Sequence, residues 1–328
     1  MGIFSYYVYK TILVPNTAFE QNNVQVFIPT NATKQEFLEI MEPLVKDIHS
    51  LEIVADKKNY SNNIRPGRYI IAKDMSNLDI IDVLRSKNLP ISVKFNNQER
   101  LENLAGSISK QIEADSLELI AAMRDTIYLK EQGLDLSNAL AMYVPNTYEL
   151  YWNTSATQFR DRMQKEYEAF WNERRQNAAE ELGLSREEVI SLAAIVQKET
   201  VKIDERPRVA GVYLNRLNIN MKLQADPTVI YAKKHAENDF DQVIKRVLYK
   251  HLEIESPYNT YENHGIPKGV IAMPAISSIA AVLFPEKHNY LYFVADTSNF
   301  GYHIFARNHS EHIRNRQQYI NWVSQQKQ

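Results

Sequence analysis

The stretch SREEVISLAAIVQKET, residues 185–200, decides how the second half of the chain folds. Ser185 followed three residues later by Glu188 is the pattern of a capping box, and it predicts a helix that begins at Ser185. At about 100° per residue, this register places Glu199 on the apolar stripe of the helix, one turn beyond the last large hydrophobic residues. The helix is therefore expected to turn a carboxylate toward the core.

A carboxylate in that position has two interpretations. Desolvation favours the protonated form and raises the pKa, which would suit Glu199 to the role of a general acid at neutral pH. Cleavage of a glycosidic bond requires such a neutral carboxyl to protonate the leaving oxygen. Alternatively, Glu199 lies in a frayed last turn, where it reaches solvent or pairs with Arg206 or Arg208. The helix alone leaves both interpretations open.

Two polar loops follow this helix, one around residues 218–227 and one over residues 256–274, which is rich in Tyr, Asn and Pro. Tyrosine rings stack on sugar faces, and Asn and Gln side chains match the donors and acceptors of hydroxyl and acetamido groups. Five loop residues are the candidates for positioning sugars or the acid: Gln224, Asp226, Tyr258, Asn259 and Thr260. For each, the alternative is a hydrogen bond that merely stabilises the loop, and an Asp before a Pro is also typical of a turn.

Other polar residues carry weaker signals. Structural support is the interpretation for three residues of the helix that precedes the first of these loops: Tyr213, Asn215 and Arg216. The three histidines near the end of the chain have a spacing that suggests zinc: His303, His309 and His312. No acidic partner for them is evident, so no metal site is predicted.

The N-terminal half is expected to form a small, mixed α/β module. Strand and helix patterns alternate from Val24 to Lys87, and a similar alternation begins again at Leu89, which suggests a weak internal duplication. A turn-rich, aromatic stretch begins at residue 141, and the domain boundary is placed there.

Helix and strand patterns are mixed around and beyond this boundary. Residues 115–133 and 155–182 each have the pattern of one long helix, and a closing helix is expected over residues 308–324. Two short strands are predicted at residues 290–296 and 302–306. The sequence therefore indicates an α+β fold, with the α/β module first and the glutamate-bearing helix in the second domain.

Composition limits the class of protein. The chain has 328 residues, 44% of them hydrophobic and 24% charged, which is typical of a globular protein with more than one core. A net charge of -2 does not indicate a nucleic-acid partner, and the lack of cysteine excludes a disulfide scaffold or thiolate site. Residues 3–14 are apolar and aromatic but too short to span a bilayer, so they are either a first strand or the outer end of a membrane helix.

Three segments together resemble the endolytic murein transglycosylase family, in order and at suitable spacing. They are IVQKETVKIDERPRVAGVYLNRLNINMKLQADPTVIYA (195–232), SPYNTYENHGIPKGVI (256–271) and NYLYFVAD (289–296). The resemblance implies that residues 141–328 form the catalytic domain. In the N-terminal half, IRPGRYIIAKDMSNLDIIDVLRSK (64–87) is similar to the LysM-like region of the family. Residues 15–140 are accordingly expected to be a LysM-like, peptidoglycan-binding region.

The resemblance also implies a location and partners. Members of such families are anchored by one N-terminal helix in the bacterial cytoplasmic membrane, with the enzyme on the outer, periplasmic side. This favours reading residues 1–14 as the remnant of that anchor rather than as a strand. The implied partners are peptidoglycan glycan strands and, as a further expectation, enzymes of cell-wall synthesis.

The catalytic glutamate of the family is the second acid of an E-K-E-T stretch, which here reads Q-K-E-T. Gln197 replaces the first acid, so Glu199 alone can act. The implied reaction is non-hydrolytic cleavage of the MurNAc-β-1,4-GlcNAc bond within peptidoglycan glycan strands, which leaves 1,6-anhydro ends and needs no cofactor or metal. The implied role is to terminate or trim nascent strands. Two alternatives remain, a lysozyme-like hydrolase and a non-catalytic scaffold that binds peptidoglycan.

Overall fold

The computed structural model describes residues 2–325, and its mixture of helices and short strands confirms the α+β fold class. The chain forms two compact units, and each consists of three chain segments. The first unit comprises Met1–Lys94, Ala105–Leu119 and Thr147–Phe159, and the second comprises Phe95–Leu104, Ile120–Asn146 and Arg160–Gln328. The boundary expected at residue 141 thus lies inside a segment of the second unit.

The N-terminal half contains helices and strands in alternation. In chain order they are α1 (Gly2–Leu13), β1 (Asn23–Ile28), α2 (Lys34–Met41), α3 (Ile48–Lys57), β2 (Gly67–Ala72), α4 (Asn77–Leu84), β3 (Pro90–Phe95), α5 (Leu101–Ile108), α6 (Ser116–Met123), α7 (Thr126–Glu131) and β4 (Asn146–Tyr151), with short 3₁₀ helices at Glu42–Leu44 and Ala139–Met142. β1 and β2 pair antiparallel, with Val26 opposite Tyr69. One face of this pair is buried with the apolar sides of α2, α3 and α4 in a single core.

The N-terminal segment is a helix, so the strand alternative is wrong. The buried Asn77 side chain donates to the carbonyl of Thr11 at 2.8 Å and accepts from Asn16 at 2.6 Å. These bonds tie the end of α1 to the start of α4. Among residues 2–325, no helix is both long and apolar enough to cross a membrane.

The region after Leu89 does not repeat the first module in its strand pairing. β3 pairs with β4, which lies far downstream, whereas β1 pairs with β2 inside one module. The helix expected over residues 115–133 is two helices, α6 and α7, because Asp125 leaves helical geometry and caps α7 through the amides of Ile127 and Tyr128.

The remainder of the chain, from Arg160 onward, builds most of the second unit around one buried helix. In chain order its elements are α8 (Ala156–Phe170), α9 (Glu173–Glu181), α10 (Arg186–Glu199), α11 (Arg206–Asn218), α12 (Asp226–Ala236), α13 (Tyr249–Leu252), α14 (Ile276–Leu283), β5 (Tyr292–Ala295), β6 (His303–Ala306) and α15 (His309–Gln325). The helix expected over residues 155–182 is likewise two, because Asn172 caps α9. β5 and β6 confirm the two short strands that were predicted; they pair antiparallel, and α15 packs against both.

Helix α10 is the centre of this unit. Ser185 and Glu188 form the capping box, and every residue from Val189 to Val196 is buried. The Ser191 hydroxyl donates to the carbonyls of Pro267 and Gly269, each at 3.0 Å. Helices α11, α12 and α14 pack around α10, which fixes the position of its C-terminal residue.

Candidate active site

Glu199 is the last residue of α10, and its side chain is half-buried. The hydroxyl of Tyr213, a residue only 1% exposed, donates to Oε1 of Glu199 at 2.5 Å. Burial, with a smaller contribution from the nearby charge of Asp226, raises the pKa of Glu199 to about 7 against the opposing effect of the Tyr213 hydrogen bond. The two arginines considered as partners bind elsewhere, since Arg208 pairs with Glu286 and Arg206 donates to Ser277.

Glu199 opens onto a cleft of about 500 Å³. Its walls combine carboxylates, cations and aromatic rings: Glu199, Tyr213, Arg216, Met221, Gln224, Asp226, Tyr261, Tyr292, Phe293, His309 and His312. All of these residues belong to the second unit. A cleft of this size, with a few convergent polar groups and one carboxyl of perturbed pKa, is typical of a catalytic site.

Helix α11 supplies two side chains to the cleft from one face, because Tyr213 and Arg216 are three residues apart. Arg216 donates from Nε to the carbonyl of Leu291 and from Nη1 to the carbonyl of Leu223, both at 2.6 Å. These bonds hold the chain before β5 and the loop before α12. Arg216 is therefore the support that was predicted and also part of the cleft wall.

Gln224 and Asp226, both exposed, are the two predicted loop residues that the structure places in the cleft. Gln224 has a positive φ of 48°, and its backbone N–H donates to the carbonyl of Thr260 at 3.1 Å. Asp226 is the first residue of α12, where its negative charge interacts favourably with the helix dipole. Its Oδ1 accepts a hydrogen bond from the Tyr261 hydroxyl at 2.7 Å.

The other three candidates, Tyr258, Asn259 and Thr260, are buried and are not among the residues that line this cleft. The Asn259 amide donates to two carbonyls of its own loop, at Leu252 and Ile254. The Thr260 hydroxyl accepts from the amide of Ala225 at 2.9 Å, which positions the residue between Gln224 and Asp226. Burial and local bonding make both residues loop supports.

Tyr258 lines a different cavity of about 460 Å³. Its ring packs edge-on against Tyr231, with ring centroids 4.6 Å apart, and lies 5.6 Å from the ring of His235. The Tyr-rich composition of the loop correctly indicated an aromatic at the site, but the residue that reaches the cleft is Tyr261.

Gln197 and Asn215 act as structural residues. Oε1 of Gln197 accepts hydrogen bonds from the amide of Ala275 and the hydroxyl of Ser278, at the start of α14. The Asn215 amide donates to the carbonyls of His288 and Tyr290, just before β5. The residue that replaces the first acid of the E-K-E-T stretch therefore anchors a neighbouring helix.

The three histidines separate into two groups. His303 on β6 bonds Glu205 through its amide at 2.7 Å and through Nδ1 at 2.8 Å, and its ring packs edge-on against Phe293. His309 and His312 lie on α15, with ring centroids 6.5 Å apart. Within residues 2–325, no group of three or more His, Cys, Asp or Glu side chains is placed to hold a metal ion.

Comparison with known proteins gives this architecture a family. The profile of the YceG-like family matches residues 26–318. The chain belongs to the YceG-like family. It is 28% identical to an endolytic murein transglycosylase of Bacillus subtilis strain 168 over 337 residues, which cover 95% of this chain and 89% of that protein.

Two further comparisons agree. The endolytic murein transglycosylase of Streptococcus pneumoniae serotype 2 strain D39 is 25% identical over 355 residues, which cover 98% of this chain and 62% of that longer protein. The crystal structure of a yceG-like protein from Listeria monocytogenes superposes with a TM-score of 0.59 at 25% identity, covering 90% of this chain and 99% of that one. The resemblance inferred from the sequence motifs is thus confirmed at the level of the family.

Four residues that line the cleft of this YceG-like protein were not predicted from its sequence: Met221, Tyr261, Tyr292 and Phe293. Tyr292 and Phe293 come from β5, a strand whose composition predicted only a pleated, half-buried surface. The sequence held a usable signal for Tyr213, which follows Glu199 at a distance that allows the next helix to fold back. A buried tyrosine needs a partner for its hydroxyl, and here the partner is the acid.

Proposed function

We propose that this YceG-like protein is an endolytic lytic transglycosylase that cleaves the MurNAc-β-1,4-GlcNAc bond of peptidoglycan and leaves 1,6-anhydro ends. One observation carries the proposal: a half-buried carboxyl, Glu199, with a pKa of about 7 in a polar and aromatic cleft. The relatives named endolytic murein transglycosylase support it. A pKa near the working pH lets one group both donate and accept a proton.

The first step uses the protonated form of Glu199. Because the Tyr213 hydroxyl occupies Oε1, we expect Oε2 to carry the proton that passes to the glycosidic oxygen. The bond from that oxygen to C1 then breaks, and positive charge develops on the sugar. Either the acetamido group of the substrate or nearby anionic groups stabilise this charge, and Asp226 on the cleft wall is the protein carboxylate in position to contribute.

The second step uses the ionised form of the same residue. Glu199 accepts the proton of the C6 hydroxyl while that oxygen attacks C1, so the 1,6-anhydro ring closes and no water is consumed. The hydrogen bond from Tyr213 stabilises the carboxylate between the two steps. One acid therefore suffices, in contrast to hydrolases that use a pair of carboxylates.

Mass spectrometry of digested peptidoglycan tests the proposal. The wild type should release products that are one water lighter than hydrolysis products, and Glu199→Gln should lower turnover by roughly 10²- to 10⁴-fold with an unchanged circular dichroism spectrum. Glu286→Gln is the matched control, because Glu286 forms an exposed ion pair with Arg208 and should leave turnover unchanged.

Two outcomes would replace the proposal with its alternatives. Hydrated reducing ends in the wild-type digest would indicate a lysozyme-like hydrolase. Peptidoglycan that binds to wild type and Glu199→Gln alike, without release of fragments by either, would indicate a non-catalytic scaffold.

We further propose that the enzyme acts at the outer face of the bacterial cytoplasmic membrane, where it trims or terminates nascent strands beside cell-wall synthesis enzymes. Exposed tyrosines on α1, Tyr6, Tyr7 and Tyr9, support this placement, because tyrosine collects at membrane interfaces. The N-terminal module is proposed to bind peptidoglycan as a LysM-like region. Co-sedimentation of the full chain with vesicles and with purified peptidoglycan would test both parts.

A further inference from the structure

Three basic side chains, one guanidinium and two imidazoles, surround one aromatic ring on the cleft wall. The ring of His312 stacks on Tyr292 with centroids 5.1 Å apart, and the ring of His309 lies 5.9 Å from Tyr292. The guanidinium carbon of Arg216 lies 5.3 Å from the centre of the same ring. All four residues line the cleft that contains Glu199.

These basic groups form no ion pair with the residues that the structure describes. In the part of the chain that the structure describes, none of Arg216, His309 and His312 lies within ion-pair distance of a carboxylate. The two hydrogen bonds of Arg216 go to uncharged carbonyls, and a guanidinium has more N–H donors than these bonds use.

His312 provides an independent observation. Its Nδ1 is buried and has no hydrogen-bond partner among the described residues. Burial and the charges of His309, Arg216 and Arg316 lower the pKa of His312. A buried ring nitrogen without a partner costs free energy, so the site lacks a group that would bond it.

We propose that Arg216, His309 and His312 form a subsite for a carboxylate of the glycan strand. Arg216 supplies the permanent charge and the two imidazoles supply hydrogen bonds, which are stronger to an ionised acceptor. This inference rests on the proposed function, since it assigns a register to the strand that Glu199 cuts.

The chemistry of peptidoglycan gives the subsite a role. Muramyl residues carry a lactyl ether whose carboxyl is either free or extended by a peptide with carboxylates of its own, whereas glucosaminyl residues carry no carboxylate. A carboxylate subsite in the same cleft as Glu199 therefore places a muramyl residue, and not a glucosaminyl residue, beside the acid. The subsite would select which of the two alternating β-1,4 bonds is cleaved.

Calorimetric titration tests the subsite without cleavage, in the Glu199→Gln protein. The ligands are peptide-free glycan fragments and the same fragments with their carboxyls converted to methylamides. The double change His309→Gln with His312→Gln should weaken binding of the charged fragments about tenfold, because bonds to an ionised group are lost. The same double change should alter the affinity for the amidated fragments by less than about twofold.

Peptide-bearing fragments distinguish the two sources of the carboxylate. Weakening confined to peptide-free fragments assigns the subsite to the lactyl carboxylate, and weakening confined to peptide-bearing fragments assigns it to a stem peptide. Arg314→Gln is the matched control, because it removes an exposed charge from α15 outside the cleft lining and should leave all affinities unchanged. Arg216 is left intact because its loss would release two carbonyls and disturb the fold.

Equal weakening for charged and amidated fragments would overturn the subsite, because the histidines would then contribute only shape. Unchanged affinity for every charged fragment would overturn it as well. The proposed function fails by a different measurement, the absence of anhydro products from the wild-type digest, so the two failures are distinguishable.

Discussion

Glu199 at the end of α10 and Glu205 at the start of α11 are six positions apart, yet the pKa values of their carboxyls shift in opposite directions. Both side chains are largely withdrawn from water, with Glu205 3% exposed and Glu199 half-buried, so burial alone would raise the pKa of both. Instead, the pKa of Glu199 rises to about 7 while that of Glu205 falls below its ordinary value of 4.5.

Hydrogen-bond donors explain the difference. Burial raises the pKa of Glu205, but donors from His303, through both its amide and its ring, and from Thr200 outweigh that effect. Among the residues that the structure describes, Glu199 accepts one hydrogen bond, from the neutral hydroxyl of Tyr213, and the negative charge of Asp226 also acts on it. The proposed acid and the structural carboxylate thus differ in the number of hydrogen bonds that each accepts and in the charges near them.

Among substitutions at these two carboxyls and their donors, Glu205→Gln is expected to change the stability of the protein most. The substitution replaces one accepting oxygen by an NH₂ group, so that two hydrogen-bond donors, this group and His303, face each other in a buried site. The free energy of unfolding at pH 7 should therefore fall by about 3 kcal/mol. Urea denaturation measures this change. A loss similar to that of the exposed-pair control Glu286→Gln, for which at most about 1 kcal/mol is expected, would contradict the buried-pair interpretation.

The same variant has a defined pH dependence. Because the folded-state pKa of Glu205 is lowered, its contribution is present above about pH 4.5 and is lost as the pH falls through the folded-state pKa. The difference in stability between wild type and Glu205→Gln should therefore shrink under acidic conditions. A difference that grows as the pH falls would have the wrong sign.

Tyr213→Phe tests the donor of the other carboxylate. Loss of the hydroxyl removes a bond that favours the ionised form, so the pKa of Glu199 should rise by about one unit. A general acid must be protonated, so the alkaline limb of the pH–rate profile should move upward by the same amount. Tyr302→Phe, which removes a comparable bond to Asp204 outside the cleft lining, is the control and should leave the limb in place. A downward shift would show that Tyr213 stabilises the neutral acid.

The two glutamates also differ in how well their roles could be predicted from the sequence. Glu199 was recognisable because a local signal, the capping box at Ser185, fixes the register of its own helix and so the face on which Glu199 lies. Glu205 gave no signal, because its partner His303 lies 98 positions away on β6. Local periodicity predicted β5, β6 and α15, but it joined helices that Asp125 and Asn172 separate by capping.

The candidate site divides in the same way. Gln224 and Asp226 were found because polar residues cluster where a helix ends, and the structure places both in the cleft. Tyr258, Asn259 and Thr260 have similar composition, but whether a loop side chain faces a ligand or its own backbone is decided by tertiary contacts. Thr260 illustrates this, since its hydroxyl is hydrogen-bonded to the backbone N–H of Ala225 and to the hydroxyl of Thr228.

Glu199→Gln should stabilise the fold at alkaline pH, in contrast to Glu205→Gln. Because the folded-state pKa of Glu199 is raised from 4.5 to about 7, the wild type is most stable below about pH 4.5 and loses stability as the pH rises toward 7. The shift sets an upper limit of about 3 kcal/mol, and partial exposure of the side chain reduces the expected gain to about 1 kcal/mol. Urea denaturation of both proteins at pH 8 and pH 4 measures it, with the gain present at pH 8 and absent at pH 4. A variant less stable than wild type at pH 8 would mean that the ionised carboxylate is stabilised by the cleft, and Glu199 would then resemble Glu205 rather than a general acid.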